Sequence, residues 1–238
     1  MMATLTGGPI DLCMRADGLS RTQLRDRVVH AGELGYAAVA LECEIQLPAN
    51  GSETLVQPLS QAELGSLSET APIQLKRITA VLNEPQHAGA MRSQAFMHLA
   101  RTADIVAVKP SSERCFELAC VDCPATIIQL ELHKRMGFRL KASQLKGARS
   151  RGVKVEVLYG QARSSPQARR QAIANGHSLS LGLRPRKDTV VSSGAVASAS
   201  TLCKPRECCA YYALLVGKPS ALDLLRCVGA NAHSCIQR

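Results

Sequence analysis

Residues 9–41, PIDLCMRADGLSRTQLRDRVVHAGELGYAAVAL, contain the pattern that decides the fold. The apolar runs at its two ends, 9–13 and 37–41, are typical of short buried strands. Ser20 is a favourable helix N-cap and Gly35 a favourable C-terminal stop. Between them, apolar residues recur on one helical face at Leu24, Val28, Ala31 and Leu34. The stretch therefore predicts a strand–helix–strand unit.

The same alternation continues along the chain. Further apolar runs, most of them followed by an interval of helix length, predict five more strands at 78–82, 105–108, 126–130, 153–158 and 189–191. Apolar runs separated by helices are typical of parallel strands that are buried on both faces. No Gly-x-Gly-x-x-Gly follows the first run, so nothing supports a dinucleotide-binding site. We expect a single α/β domain over 1–238, barrel-like or doubly wound, with a long loop and one helical turn at about 43–72.

The net charge of +10 is concentrated in the C-terminal half of the chain. Residues 1–119 hold 10 Lys and Arg against 13 Asp and Glu, whereas residues 120–238 hold 19 against 6. Between His133 and Lys187 there are 14 Lys and Arg and a single acid, Glu156. This asymmetry is typical of a phosphate-binding surface, although a solvated basic face would show it too. With four Tyr, three Phe and no Trp, base stacking on an aromatic platform is disfavoured.

The ten cysteines are expected to be reduced. Residues 1–14 show neither the basic nor the apolar segment of a secretory signal, so we predict a reducing compartment. Cys120-Val-Asp-Cys123 is the only C-x-x-C, and five further Cys lie between 203 and 235. Two roles stay open for them, which are binding of a structural zinc ion and packing as buried thiols in the core. The longest stretch without Asp, Glu, Lys or Arg, Thr189–Cys203, is too short and polar to cross a bilayer, and we expect no membrane association.

Motifs for catalysis are weak. A hydrolytic metal needs three or more converging ligands, yet no two of the six His form a His-x-His pair, and the first strand carries Asp11 and Cys13 instead. No Gly-x-Ser-x-Gly is present. Asp11, Asp104 and Glu156 lie near strands, where capping or pairing with arginines is the simpler role. We therefore predict no catalytic residue, no metal and no cofactor.

Two local features lie within the basic half. Ser164-Ser165-Pro166 is a strong helix start, and the helix that follows carries Arg169 and Arg170 in its first turns. Adjacent guanidinium groups near a helix N-terminus suit phosphate binding, although they could instead pair with Glu156 or with an acidic partner. The seventh strand ends in Ser192-Ser193-Gly194, which allows a phosphate or a neighbouring backbone to approach, and is also an ordinary turn sequence.

The order of landmarks resembles a known family, the thirty-kilodalton protein subunit shared by ribonuclease P and ribonuclease MRP. The likeness extends over about 9–235, and no single motif carries it. The landmarks are Asp11-Leu12 with Arg15, Ala103–Val108 followed by Pro110, Arg151-Gly-Val153 with Glu156 and Tyr159, Arg169-Arg170, Ser192-Ser193 and Leu214-Leu-Val-Gly217.

The resemblance implies a seven-stranded, TIM-barrel-like βα barrel of the PHP-like type without its metal ligands. It implies a non-catalytic subunit of a ribonucleoprotein that processes tRNA 5′ ends, rRNA precursors or both, in the nucleus and nucleolus. The implied partners are the ribonuclease P or MRP RNA, a small RRM-like subunit and other particle proteins. Residues that match the family pattern are predicted RNA contacts: Arg151, Arg169, Arg170, Ser192 and Ser193. Three more cations of the basic half are predicted contacts as well: Lys154, Lys204 and Arg206.

The chain departs from the family pattern after Ser193. An Arg-Pro and then an Arg-Gly-Pro-x-Asp stretch usually follow there, whereas this chain has the Ala- and Ser-rich stretch 196–202 and then Lys204-Pro-Arg-Glu207. Two other functions stay open from the residues alone. One is a metal-dependent phosphoesterase of the same barrel type with unusual ligands, and the other is a bridging subunit whose basic face meets an acidic protein. We expect the acidic N-terminal half to contact proteins, and Tyr211, Tyr212, Leu214 and Leu215 to lie in the core or at an interface.

Overall fold

The computed structural model describes residues 7–49, 53–138, 140–180, 188–194, 202–217 and 221–236. Within these residues, seven parallel strands form one sheet, and each strand pairs with the next along the chain. The strands are β1 (Ile10–Arg15), β2 (Ala38–Gln46), β3 (Ile73–Leu82), β4 (Ile105–Pro110), β5 (Ile127–Leu130), β6 (Lys154–Leu158) and β7 (Thr189–Ser192).

Helices connect the strands. They are α1 (Arg21–Glu33), α2 (Gln61–Leu64), α3 (Gln94–Ala100), α4 (Glu113–Val121), α5 (Ala142–Ser150), α6 (Pro166–Ser180), α7 (Pro205–Val216), α8 (Ala221–Val228) and α9 (Ala230–His233). Short 3₁₀ helices occupy Gly65–Leu67, Pro85–Arg92 and Gln161–Arg163. In the part of the chain that the structure describes, no helix is long and apolar enough to cross a membrane.

The first and last strands meet at the seam of a nearly closed barrel. The Gly194 N–H donates to the carbonyl oxygen of Cys13 at 2.9 Å, and the Ser193 hydroxyl donates to the same oxygen at 2.9 Å. Gly194 has φ +56°, and a Cβ on it would lie 3.0 Å from Leu158, so glycine is required where β7 ends against β6. The predicted α/β barrel with seven strands is confirmed.

The predicted loop at 43–72 is wrong at its start. Residues 43–46 continue β2, and they pair with β3 from Cys43↔Ile78 to Gln46↔Val81. The alternation Glu42-Cys-Glu-Ile-Gln46 has the period of a strand, but its charged residues face the barrel interior rather than solvent. The predicted single helical turn in this connection is confirmed as α2.

The core has two layers. Inside the barrel, small and branched side chains form an apolar floor, which α9 and the residues after it cover from below. The floor and its cover include Ile10, Ala40, Ile105, Val190, Ala232 and Cys235. Between the strands and the helices lies a larger outer core, which includes Phe96, Phe116, Ile128, Val157 and Tyr212. Burial on both faces explains why the strands appear as continuous apolar runs.

Helices α6 and α7 pack closely because α6 carries a glycine at the contact. A Cβ on Gly176 would lie 2.8 Å from the Cβ of Leu215 and 3.3 Å from the Leu215 carbonyl oxygen. Leu215 and Tyr212 are buried in this core, whereas Leu214 is 69% exposed and Tyr211 is partly buried. The four residues that were expected at the core or an interface therefore divide between the core and the surface.

Gly176→Ala is expected to lower the free energy of unfolding by about 1–3 kcal/mol, since the added methyl group overlaps the base of a buried side chain. In an open helical position the same change would stabilise by up to about 1 kcal/mol. Gly147→Ala in α5 is the matched control, because there the new Cβ would meet only the Cys120 carbonyl oxygen at 3.6 Å and Val121 at 4.0 Å. Urea unfolding of both variants measures the difference. Equal effects of the two changes would contradict the close helix contact.

Candidate functional site

A buried arginine occupies the middle of the barrel. Arg77 on β3 is completely buried, and its guanidinium donates to both carboxylate oxygens of Glu156 on β6, at 2.7 and 2.6 Å. It also donates to the carbonyl oxygen of Leu12 at 2.6 Å and to the Thr79 hydroxyl at 3.0 Å. Glu42 on β2 lies 3.5 Å from the same guanidinium. One protein cation thus neutralises two buried carboxylates.

This arrangement keeps Glu42 ionised. Burial by itself would raise the pKa of the Glu42 carboxyl, but Arg77 and the Thr79 hydroxyl, which donates at 2.5 Å, together bring the pKa below its ordinary value. A carboxyl whose pKa is lower in the folded state than in the unfolded state stabilises the fold at neutral pH. That stabilisation is lost as the pH falls through the folded-state pKa.

The mouth of the barrel, at the carboxyl ends of the strands, is closed by ion pairs. Lys109 lies 2.8 Å from Glu44 and 3.8 Å from Glu131, and Arg15 lies 3.9 Å from Glu44. The cavity that they line has a volume of about 10 Å³, which is room for about one water molecule. Among the described residues, no group of three or more His, Cys, Asp or Glu could hold a metal ion. The acidic side chains here face protein cations instead.

Each carboxylate singled out in the sequence is engaged by groups of the protein itself. Glu156 lies inside the barrel with Arg77, so it is not the partner of Arg169 or Arg170 on the outer surface. Asp104 accepts the Lys76 N–H at 2.7 Å. Asp11 accepts the N–H of Ser193 at 2.9 Å and that of Cys13 at 3.2 Å, so it holds the seam between β1 and β7.

Asp11→Asn is expected to gain free energy of unfolding relative to the natural chain, and this difference should grow as the pH rises above about 4. Burial raises the pKa of the Asp11 carboxyl above 3.8, although the hydrogen bonds from Ser193 and Cys13 oppose the shift. The folded state therefore favours the neutral form, and the stability that this provides is lost as the pH rises through the folded-state pKa. Asparagine retains the accepting oxygen without the charge. Urea unfolding of both proteins from pH 4 to 8 tests this, and a gap that narrows with rising pH would contradict it.

Most of the cysteines are core residues. All ten lie within the described residues, and none of them forms a disulfide there; nine are buried and Cys203 is partly exposed. Burial raises the pKa of Cys120 to about 12 and that of Cys123 to about 11, despite the nearby Arg151 guanidinium. Thiols with such pKa values are poor nucleophiles at neutral pH. Cys120 and Cys123 are both buried, which favours packing in the core as their role.

Helix α6 presents the basic surface predicted for it. Ser165 accepts the Ala168 N–H at 3.1 Å at its start, and Ala168, Ala172, Gly176 and Leu179 are buried against the barrel. This orientation leaves Arg169 and Arg170 exposed. No salt bridge joins either guanidinium to an acidic side chain in the described part of the chain.

A second group of cations is fixed beside α6. The Asn175 side-chain amide donates to the carbonyl oxygens of Leu132 and Lys134, at 2.7 and 2.8 Å, and so ties the loop after β5 to the helix. Lys134 and Arg135 in this loop are exposed, and Lys134 also pairs with Glu131 at 2.8 Å. We call Lys134, Arg135, Arg169 and Arg170 the α6 face. Neither Lys134 nor Arg135 was among the predicted contacts, although the run His133-Lys-Arg135 could have indicated them.

The other predicted contacts lie elsewhere. Ser192 donates to Glu156 at 2.7 Å, Ser193 closes the seam, and both are buried, so they stabilise the barrel rather than line its surface. Lys154 is half-buried at the start of β6. Lys204 and Arg206 are exposed at the start of α7, where they border an apolar groove. Of the predicted set, only Arg169 and Arg170 lie exposed on α6, the helix to which Asn175 ties the loop after β5.

Arg151 follows α5, and its guanidinium is engaged by the backbone. It donates to the carbonyl oxygens of Ala119 and Cys120, each at 3.1 Å, and to that of Cys123. The Ala119 and Cys120 carbonyls lie in the last turn of α4 and that of Cys123 lies two residues beyond it, so Arg151 caps α4 from a neighbouring element.

Arg151→Ala is expected to lower the free energy of unfolding by about 2 kcal/mol, since three carbonyl oxygens lose a charged donor. RNA affinity measured on the folded variant is expected to change by less than twofold. Arg149→Ala is a suitable control in the same helix end, because its guanidinium lies 3.9 Å from Asp188 and caps no described helix. A large loss of RNA affinity in Arg151→Ala without loss of stability would instead make Arg151 an RNA contact.

Comparison with known proteins places the chain in a family. The family model described as RNase P subunit p30 matches residues 8–209. Ribonuclease P protein subunit p30 from Mus musculus is 29% identical over 191 residues, which cover 78% of this chain and 69% of the mouse protein. The ribonuclease P/MRP protein subunit RPP1 of Saccharomyces cerevisiae is 29% identical over 171 residues, covering 68% of this chain and 55% of the yeast protein. The chain thus spans about half the length of that relative.

Solved structures agree on the fold. A chain in the cryo-EM structure of archaeal ribonuclease P with mature tRNA matches with a TM-score of 0.66 at 12% identity, covering 95% of this chain and 89% of that one. A. niger ochratoxinase matches with a TM-score of 0.59 at 9% identity, covering 97% and 71%. At these identities the likeness shows the barrel alone. The family match, over most of the chain, shows that this protein belongs to the RNase P subunit p30 family.

Proposed function

We propose that this chain is a non-catalytic protein subunit of a ribonuclease P or ribonuclease MRP particle, where it binds and stabilises the particle RNA. It would act in tRNA 5′-end processing, in rRNA precursor processing or in both. Family membership supports a role as a subunit of such a particle, since relatives carry the names of ribonuclease P and ribonuclease P/MRP subunits. The observation that carries RNA binding is the exposed pair Arg169 and Arg170 on α6.

The α6 face suits a phosphate backbone. Two guanidinium groups on successive residues can each donate two hydrogen bonds to phosphate oxygens. Lys134 and Arg135 are further exposed cations in the loop that Asn175 holds against the same helix, and we propose that they bind the same RNA. The face contains no aromatic side chain, so it fits folded RNA that is recognised by its backbone better than single strands that need stacking.

Protein partners would use other surfaces. The N-terminal half carries 13 acidic against 10 basic residues, and the connection from β2 to β3 is long, so we propose this side for contacts with a small RRM-like subunit and other particle proteins. The particle's nuclear, and more narrowly nucleolar, location is part of the same proposal.

A metal-dependent phosphoesterase is less well supported. Its carboxylates would have to be available to a metal, whereas Glu156 and Glu42 face Arg77, and Glu44 and Glu131 face Lys109. If these carboxylates bound a metal instead, the arginine and lysine that they now neutralise would be left as buried, unpaired positive charges, which is costly.

Purification of a tagged full-length chain from its own cells, followed by sequencing of the bound RNA, tests the proposal. We expect one or two structured RNAs and a constant set of proteins, and the purified material should cleave precursor tRNA or precursor rRNA. Proteins without RNA would favour the bridging role instead. Stoichiometric metal together with phosphoesterase activity that Asp11→Ala abolishes would overturn the non-catalytic role.

A further inference from the structure

An open apolar groove lies between the start of α7, the end of α8 and the entry to β1. Its volume is about 570 Å³, and its apolar lining comes from Pro9, Leu34, Pro205, Leu225 and Val228. This volume is within the range of about 300–1,000 Å³ that is usual for binding pockets. The groove is separate from the residues of the α6 face.

Leu225 marks the groove as uncovered within the described structure. It lies on α8 one turn before Val228, which is buried, yet Leu225 itself is 56% exposed. A single exposed leucine is ordinary on a protein surface, but here it borders a concave surface made of further apolar side chains. Covering it would remove apolar area from water, which is favourable.

Both charged residues in the described lining of the groove are cations. Lys204 and Arg206 are exposed at its rim. Glu207, which follows Arg206, accepts the Lys204 N–H at 3.0 Å. The groove therefore combines an apolar floor with two cations, which is complementary to an apolar side chain next to a carboxylate.

We infer that this groove binds a short segment of a partner protein in which one or two large apolar residues are flanked by Asp or Glu. RNA fits less well, because phosphates gain nothing from a floor of proline, leucine and valine, and the described lining includes no aromatic side chain for bases. Lys204 and Arg206, which the sequence placed among the RNA contacts, would instead orient a peptide by its carboxylates.

Site-specific photo-crosslinking of the full chain in its own cells tests this. A benzophenone amino acid replaces Leu225, and the control carries it at Val121 on α4, which is 62% exposed and outside the groove. Mass spectrometry of the crosslinked peptides identifies the occupant. We expect crosslinks from position 225, absent from position 121, that map to one protein segment with adjacent acidic and large apolar residues.

A synthetic peptide of that segment then tests the chemistry with purified full-length chain. Lys204→Glu plus Arg206→Glu should weaken its binding at least tenfold, and a peptide with its acids changed to lysine should recover affinity for that variant. Leu225→Ala should weaken binding of the peptide at least threefold. Lys146→Glu, at an exposed position of α5 outside the groove, should leave it unchanged. Crosslinks only to RNA or to this chain's own residues, equal crosslinking from position 121, or peptide binding that ignores both changes would each overturn the inference. None of these outcomes bears on RNA binding by the α6 face.

Discussion

Arg77→Met is expected to lower the free energy of unfolding by about 3–5 kcal/mol, which is the usual cost of breaking a buried ion pair from one side. Methionine fits the volume of the arginine stem but leaves Glu156 and Glu42 buried without the cation that neutralises them. Domains of this kind are stable by about 5–15 kcal/mol in total, so the variant should be close to unfolding. The Thr79 hydroxyl and the Leu12 carbonyl would also lose their shared donor.

Glu156→Gln is the matched control and should cost less, about 1–3 kcal/mol, because one Arg77 N–H then faces an amide nitrogen that cannot accept. Glutamine keeps an oxygen that can accept from Arg77 and from Ser192, and Glu42 still carries a charge opposite to the guanidinium. Because the chain has no Trp, urea unfolding is best followed by far-UV circular dichroism. Arg77→Met should also regain stability as the pH falls and the orphaned carboxyls bind protons. Equal destabilisation by the two changes, with no pH dependence, would contradict the central role of Arg77.

The strands could be predicted from the sequence because most of their residues are apolar on both faces. The exceptions were the end of β2, where Glu42 and Glu44 interrupt the apolar run, and the start of β3, where Lys76 and Arg77 precede it. These glutamates face the barrel interior, and the cations that balance them lie on β1, β3 and β4. Pairing between strands that are far apart in sequence leaves no local pattern, so charged interior residues resemble those of a surface loop.

The same reason limited the prediction of the site. Ser192 and Ser193 end a strand in small polar residues, a pattern shared by exposed phosphate sites and by barrel seams; only the position of Asp11 and Cys13 across the seam separates the two. Arg151 could not be recognised as a cap for α4, because the helix end that it caps lies about 30 residues earlier in the chain. Arg169 and Arg170 were predictable because a helix start and its burial pattern are local properties.

Arg169→Ala plus Arg170→Ala is expected to weaken binding of the particle RNA by roughly 10- to 100-fold near physiological salt, at about 1 kcal/mol or more for each lost phosphate contact. The fold should be unaffected, since both side chains are exposed and the buried face of α6 is unchanged. Each phosphate contact also releases counterions, so the slope of log affinity against log salt should become shallower by about 1–2. Filter binding or fluorescence anisotropy over a salt series, with the partner subunit present if binding requires it, measures both effects.

Arg25→Ala plus Arg101→Ala is the matched control, because it removes the same charge from two exposed arginines in the acidic half of the chain. If attraction between the RNA and the net charge were enough, the two double variants would lose affinity equally. A contact at the α6 face predicts a large loss in the first variant and a loss below threefold in the second. Adding Arg135→Ala to the first variant should weaken binding further, because the Asn175 hydrogen bonds hold that loop beside the helix in the absence of RNA. Unchanged affinity and salt slope in the Arg169 and Arg170 variant would mean that RNA binds elsewhere on the barrel.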